Sequence, residues 1–385
     1  MNQTEYKYFP YGRQNVTEED IEAVNEVLRS DFLTQGPKVP ALEENMSNYL
    51  DVQFSLAVSN ATSALHLACL ALDLKEGDFV WTSPTTFVAS ANCARYCGAD
   101  IDFVDINLDT GLMDVNKLSE KLSIAKKNKK LPKIVIPVHL TGSSCDMESI
   151  YQLSKEYGFA IIEDASHALG GKYKNSFVGS CQFSDFTVFS FHPVKIITTG
   201  EGGILTTNNN SLAKKANMLR NHGITKDKEL FENIHNGPWS YEQQLLGYNF
   251  RMNDIQASLG ISQFKRLKNI VNERNKQLKL YKDLLKNLPI NFLDIPQDVI
   301  SSVHLGVIKL DGFSKDEHRK IFCDLRKRGI GVQIHYCPVH LNPYFRKLGF
   351  NEGDFPNSEL YSQKAMSIPI FPGLEVKDQM QIIKI

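Results

Sequence analysis

Along the first 210 residues, short near-continuous apolar runs alternate with stretches whose apolar positions recur every three to four residues. The runs FVWTS (79–83), IDFVDI (101–106), KIVIPVHL (133–140), AIIEDAS (160–166), DFTVFSF (185–191) and GILTTN (203–208) predict strands. ATSALHLACLALDL (61–74) and MESIYQLSKEYG (147–158) predict helices between them. Strands apolar on both sides need cover on both sides, so the pattern predicts an α/β unit with a mostly parallel sheet under helices. From Asn253 to about Leu288 the pattern becomes purely helical with no proline, which predicts one long helix. After it come a strand (HLGVIKL, 304–310), a helix (KDEHRKIFCDLRKRG, 315–329) and another strand (GVQIHY, 331–336), a pattern suited to a smaller α+β unit. The polar loop 226–244 is long for a compact domain and is expected to be functional or mobile.

Composition sharpens this picture. With 385 residues, 42% apolar and 23% charged, the chain can bury a sizeable core, and it divides into a large α/β unit over 15–255 and a connecting helix with a small unit over 256–385. The formal net charge of −1 provides no field to gather nucleic acid or an anionic membrane surface. The N-terminal residues MNQTEYKYFPYGRQN carry neither an apolar core nor an Arg-rich amphipathic pattern, and no apolar run reaches the ~18 residues that span a bilayer. A soluble, cytoplasmic protein is expected. Seven cysteines stand scattered, without CxxC or zinc-type pairing, so no metal site is expected and a reducing compartment is.

In open α/β sheets ligands bind beyond the carboxyl ends of strands, and three clusters fall where strands end. SNATSA (59–64) leads into a helix, whose free N–H groups and dipole can hold a phosphate; the alternative is a plain N-cap. In IIEDASHALG (161–170), Asp164 ends an apolar strand, where an ionised carboxylate is costly unless a cationic partner meets it; the alternative is a structural salt bridge. In SFHPVKIITTGEGG (190–203), Ser190 ends a strand and Lys195 follows, ahead of a glycine cluster. A lysine beside apolar surroundings loses some preference for its charged form, and the neutral amine is a nucleophile for carbonyl carbon; alone, it reads as a surface residue. Together the clusters ask for a ligand with a phosphate, a ring nitrogen that wants a carboxylate, and an aldehyde that wants an amine. Pyridoxal 5′-phosphate has all three. A non-catalytic sensor of this fold is a second reading, and a nicotinamide or nucleotide enzyme a third; neither G-x-G-x-x-G nor G-x-x-x-x-G-K-[ST] is present.

The motifs SDFLTQGP (30–37), SNATSALHLA (59–68), SPTTFVASAN (83–92), IIEDASHALGGKY (161–173), FSFHPVKIITTGEGG (189–203), RNHGI (220–224), GYNFRMNDIQASLG (247–260) and HYCPVH (335–340) resemble those of the DegT/DnrJ/EryC1/StrS family of pyridoxal-phosphate sugar aminotransferases, from about residue 8 onward. The resemblance implies the fold type I, aspartate aminotransferase-like architecture. It implies that Lys195 bonds the cofactor and shuttles a proton, and that Asp164 pairs with the pyridine nitrogen. Ser190, Thr62 and Ser63 would hold the phosphate, Phe87 would stack on the ring, and His167 would lie near the phenolic oxygen or the ring. Asn249 would reach the phosphate from a neighbouring subunit, which implies a homodimer with shared sites. Gln35, His335 and Tyr336 are candidates for the sugar nucleotide. HPVKIITTGEGG and SHALGGKY are similar to the branch that aminates C4 of a UDP-linked 4-keto-6-deoxy-N-acetylhexosamine with L-glutamate in pseudaminic-acid biosynthesis. In a dehydratase branch a histidine replaces the lysine; here Lys195 is present, and His192 does not occupy its place. Glu201 is given no role. Relatives commonly continue a final helix past the point where this chain stops, at QMQIIKI.

Overall fold

The computed structural model describes residues 7–232 and 237–384. Its centre is a seven-stranded sheet built from β1 (Phe54–Val58), β2 (Phe79–Thr82), β3 (Asp100–Phe103), β4 (Ile134–Ile136), β5 (Ala160–Asp164), β6 (Phe186–Ser190) and β7 (Gly203–Thr207). The spatial order is β1-β7-β6-β5-β4-β2-β3. The run from β6 to β3 is parallel, whereas β7 is antiparallel to both its neighbours. The strands are buried almost throughout, and apolar clusters pack on both faces of the sheet.

Six predicted strands are present, trimmed by local chemistry. β4 stops at Ile136 because the next residue, Pro137, has no N–H for the ladder. β1 was not anticipated: its run FSLAV is short and opens on a half-buried Phe54, and only pairing with β7 makes it a strand. The helix Ala61–Ala71 is capped by Asn60, whose side-chain oxygen accepts from the Ser63 N–H at 2.8 Å.

Two expectations are corrected. The long pattern after Asn253 is two helices, Asp254–Lys265 and Leu267–Leu285, which meet at Arg266. The Arg266 guanidinium is drawn to Asn15 and to the buried Asp20 (2.6 Å), so a long-range ion pair sits where the helices bend. GVQIHY is not a strand. It makes a single bridge, Gln333 to Ser367, on the edge of the strand Ala365–Ile368 that Gly306–Lys309 leaves free. Beyond the bridge the chain turns inward, and His335 is fixed by Ser367 Oγ at Nδ1 (2.8 Å) and by the Tyr361 hydroxyl, which donates to its carbonyl.

The C-terminal part carries a three-stranded antiparallel sheet, Asn291–Phe292, Gly306–Lys309 and Ala365–Ile368, and the predicted helix forms as Lys315–Lys327. The loop 226–244 is closed by a short pair, Ile224–Thr225 just before it with Glu242–Gln243 near its end, and its residues 233–236 lie outside the described residues. Among the described residues no helix is long and apolar enough to cross a membrane, and no His/Cys/Asp/Glu group could hold a metal ion.

Candidate active site

A pocket of about 980 Å³ opens beyond the carboxyl ends of β5 and β6. Pleating decides what reaches it. Neighbouring strand residues face opposite ways, and Glu163 turns to the far side of the sheet, where it meets His139 Nε2 (2.7 Å) and accepts from the Ser184 and Thr187 hydroxyls. Asp164 therefore faces the pocket. It is 6% exposed and accepts from Ser90 Oγ (2.6 Å) and the Ser166 N–H (3.1 Å). Among the described residues no cation forms an ion pair with it, which leaves a buried carboxylate suited to a protonated ring nitrogen.

Lys195 lies in the turn after β6, half-buried, its N–H bonded to the His192 carbonyl at 2.9 Å. Desolvation pulls its pKa down from 10.5 to about 8, against the opposing attraction of Asp164. Roughly a tenth of the amine is then free at pH 7, far more than for an ordinary lysine. His167, 5% exposed, is held neutral first by burial and then by the charge of Lys195. Its Nε2 lies 3.2 Å from the Tyr336 hydroxyl, and its Nδ1 has no partner. Burial, then Lys195, lowers His335 to about 4, and burial raises the Tyr336 phenol, which stays protonated.

One end of the pocket is made largely by a helix start. Thr62 and Ser63, at the start of the Ala61–Ala71 helix, line it opposite Ser190 at the end of β6. The first amides of that helix lack intrahelical acceptors and carry the positive end of its dipole. Gly203, paired with Ser190, lets this end close: a Cβ there would sit 2.8 Å from the Ala61 nitrogen and 2.9 Å from the Phe189 oxygen. Phe87 lines the pocket 57% exposed, an apolar ring open to a planar ligand, 6.3 Å from the Tyr336 ring.

One chain thus brings together Thr62, Ser63, Phe87, Asp164, His167, Ser190, Lys195, His335 and Tyr336. Gln35 and Asn249 do not line this pocket and are exposed. The Gln35 loop is pinned instead at Asp254, which accepts from the Gly36 and Lys38 N–H groups. Among the contributors that went unassigned in the sequence are Ser90, whose hydroxyl also meets that of Thr86 just ahead of the helix, and Tyr11 and His304, both remote in the chain. Of these three, only Ser90 lay inside a quoted motif.

The donor set fits pyridoxal phosphate: an anion cradle, a carboxylate without a cation, an exposed ring and an amine held near neutrality. When bound, the cofactor supplies a carbonyl that accepts an amino group and a ring that delocalises negative charge. The comparisons agree. A transaminase of Campylobacter jejuni named for UDP-4-amino-4,6-dideoxy-N-acetyl-beta-L-altrosamine is 38% identical over 369 residues, 96% of this chain and 94% of that protein. The spore coat polysaccharide biosynthesis protein SpsC of Bacillus subtilis is 34% identical over 390 residues, 100% of this chain and 97% of that protein. Helicobacter pylori PseC, an aminotransferase of pseudaminic-acid biosynthesis, superposes with a TM-score of 0.89 at 31% identity, over 98% of each chain. A sugar aminotransferase of Streptococcus pneumoniae, solved in its PLP form, superposes at 0.88 with 30% identity, over 98% of this chain and 97% of that one. Residues 14–385 match the family model, and the chain belongs to the pyridoxal-phosphate-dependent DegT/DnrJ/EryC1/StrS aminotransferase family.

Proposed function

We propose that this chain transfers an amino group from L-glutamate to C4 of a UDP-linked 4-keto-6-deoxy-N-acetylhexosamine, in two half-reactions at one site, for a bacterial surface sugar of the pseudaminic-acid type. The observation that carries the reading is the presence of both Lys195 and Asp164 in the lining of a pocket of about 980 Å³, at the top of the size range for small-molecule sites and so roomy enough for a cofactor and a sugar. The named activity of the C. jejuni relative supports the substrate class. In this reading Lys195 bonds the cofactor and moves a proton, Asp164 keeps the ring nitrogen protonated, Thr62, Ser63 and Ser190 hold the phosphate, and Phe87 covers the ring. His335 and Tyr336 border the sugar.

Asn249 and Gln35 act from a second copy of the chain, so the working unit is a homodimer with shared sites. Exposed apolar residues, among them Phe32, Leu33, Trp239 (75% exposed) and Leu246 (82%), support such an interface. Cytoplasmic residence, and the division into a cofactor-binding unit (15–255) and a small unit (256–385), complete the proposal.

The test is incubation of purified protein with glutamate and a panel of UDP-, dTDP- and GDP-linked 4-keto sugars, with products read by mass and NMR. A UDP-linked 4-amino sugar is expected. Conversion of only 3-keto or only dTDP- or GDP-linked sugars would overturn the substrate assignment.

A further inference from the structure

The Tyr336 hydroxyl and His167 Nε2 lie 3.2 Å apart, although 169 residues separate them in the chain. Their ring planes lie 24° apart with centroids separated by 6.1 Å, so the phenol meets the imidazole tip to edge. The imidazole is neutral, and a neutral imidazole has one nitrogen that donates and one that accepts. Its other nitrogen, Nδ1, is buried without a partner. His304 packs against it, ring centroids 4.4 Å apart, and the His304 Nδ1 is unpartnered too, so neither imidazole satisfies the other.

Counting donors and acceptors separates the two arrangements. If His167 donated from Nε2 to the phenol oxygen, the phenol hydrogen would be left without an acceptor and Nδ1 would be a bare buried lone pair. If the phenol donates to Nε2, the one unmet group is an N–H at Nδ1. That N–H is what an anionic ligand oxygen satisfies, whereas a bare lone pair would repel it. The titratable groups around this pair are Lys195, His335, His304, Asp164, Tyr11 and Tyr361, the last a phenol that burial keeps protonated. His335 is neutral through burial, as are His304 and the Tyr11 phenol, so none of the three replaces Tyr336 as a charged partner.

The geometry points to Tyr336 as a positioning residue that holds His167 in the tautomer with its proton on Nδ1, so that the imidazole offers a hydrogen-bond donor to the phenolic oxygen of the bound cofactor. Tyr336 acts through His167. This role is additional to the sugar contact proposed above and rests on the cofactor pocket only in its final step.

Two measurements on wild type and Tyr336→Phe test it. Phenylalanine keeps the ring and removes one oxygen, and an unchanged melting temperature checks the fold. In cofactor-free protein with 15N-labelled histidine, two-bond 1H–15N spectra, assigned by comparison with His167→Asn, are expected to show the Nδ1–H form at His167 in wild type. In Tyr336→Phe a mixture with the Nε2–H form is expected. In the holoprotein, loss of a fixed donor to the phenolate should move the midpoint of the pH-dependent visible absorbance upward by roughly 0.5–1 pH unit, the size of one hydrogen bond. An Nε2–H tautomer in wild type overturns the inference, and so does a variant in which tautomer and midpoint are both unchanged. A locked Nδ1–H tautomer in a wild-type protein that never takes up the cofactor supports the inference and overturns the pocket reading instead.

Discussion

Replacing Asp164 by asparagine removes a charge at nearly constant shape, and its first effect falls on Lys195. The amine has come down from 10.5 to about 8, which corresponds to roughly 3 kcal/mol against its charged form. Desolvation is the larger contribution, and Asp164 is the attraction that keeps the drop from going further. Partly buried charges at an effective dielectric near 20 interact by roughly 1–2 kcal/mol at separations somewhat beyond contact. Asp164→Asn should therefore lower Lys195 by about one further unit. The assay is reductive alkylation of the cofactor-free protein by a small aldehyde and borohydride, with the Lys195 peptide quantified by mass spectrometry across pH ~6–11. A midpoint near 8 is expected for wild type and near 7 for the variant. With cofactor bound, the same substitution leaves no carboxylate for the ring nitrogen, and transamination should fall by at least ~10²-fold. A midpoint unchanged or raised by Asp164→Asn, or a wild-type midpoint near 10.5, would refute the coupling of these two residues.

The same depressed pKa makes a stability prediction. Because the unfolded lysine binds its proton up to a higher pH, burial of the charged amine costs the cofactor-free fold its full amount below about 8, and the cost vanishes as pH rises toward 10.5. Lys195→Met should thus raise the melting temperature of cofactor-free protein at pH 7, with no gain near pH ~11, while abolishing the borohydride-sensitive visible band of the holoprotein. Gly203→Ala should lower cofactor affinity at least ~10-fold and cost ~1–3 kcal/mol in denaturant unfolding, because the new methyl meets backbone atoms at 2.8–2.9 Å that cannot swing aside. Ser90→Ala leaves Asp164 Oδ2 without its hydroxyl donor and should destabilise by ~1–3 kcal/mol, read by urea titration. If sites are shared, mixing inactive Lys195→Ala with weakened Asn249→Ala subunits should restore activity through hybrid dimers; no recovery after subunit exchange would count against shared sites.

Much of the site was legible because its chemistry is local in the chain. Asn60 capping a helix, Asp164 ending an apolar strand and Lys195 after Ser190 each announce themselves within a few residues. Which carboxylate of the Glu163–Asp164 pair serves the pocket was set by the resemblance in sequence and by the pleat in structure, since alternation sends one to each face. The strand Phe54–Val58 has no strong local signal, and the segment 331–336 has a strand-like pattern without forming a strand, because strand identity depends on a partner remote in sequence.

The amino-acid order by itself determined the α/β alternation, the capped helix start, and a lysine and an aspartate each placed just after a strand, because periodicity, capping and charge cost are properties of neighbouring residues. Tertiary structure alone decided that Ser90 supports Asp164 from 74 residues away and that Tyr336 meets His167 from 169 away. It also decided that the residue opposite the helix start is a glycine packed so closely that a Cβ there would sit 2.8 Å from the Ala61 nitrogen. Such contacts form only once the sheet order is fixed, and no short window of sequence encodes that order.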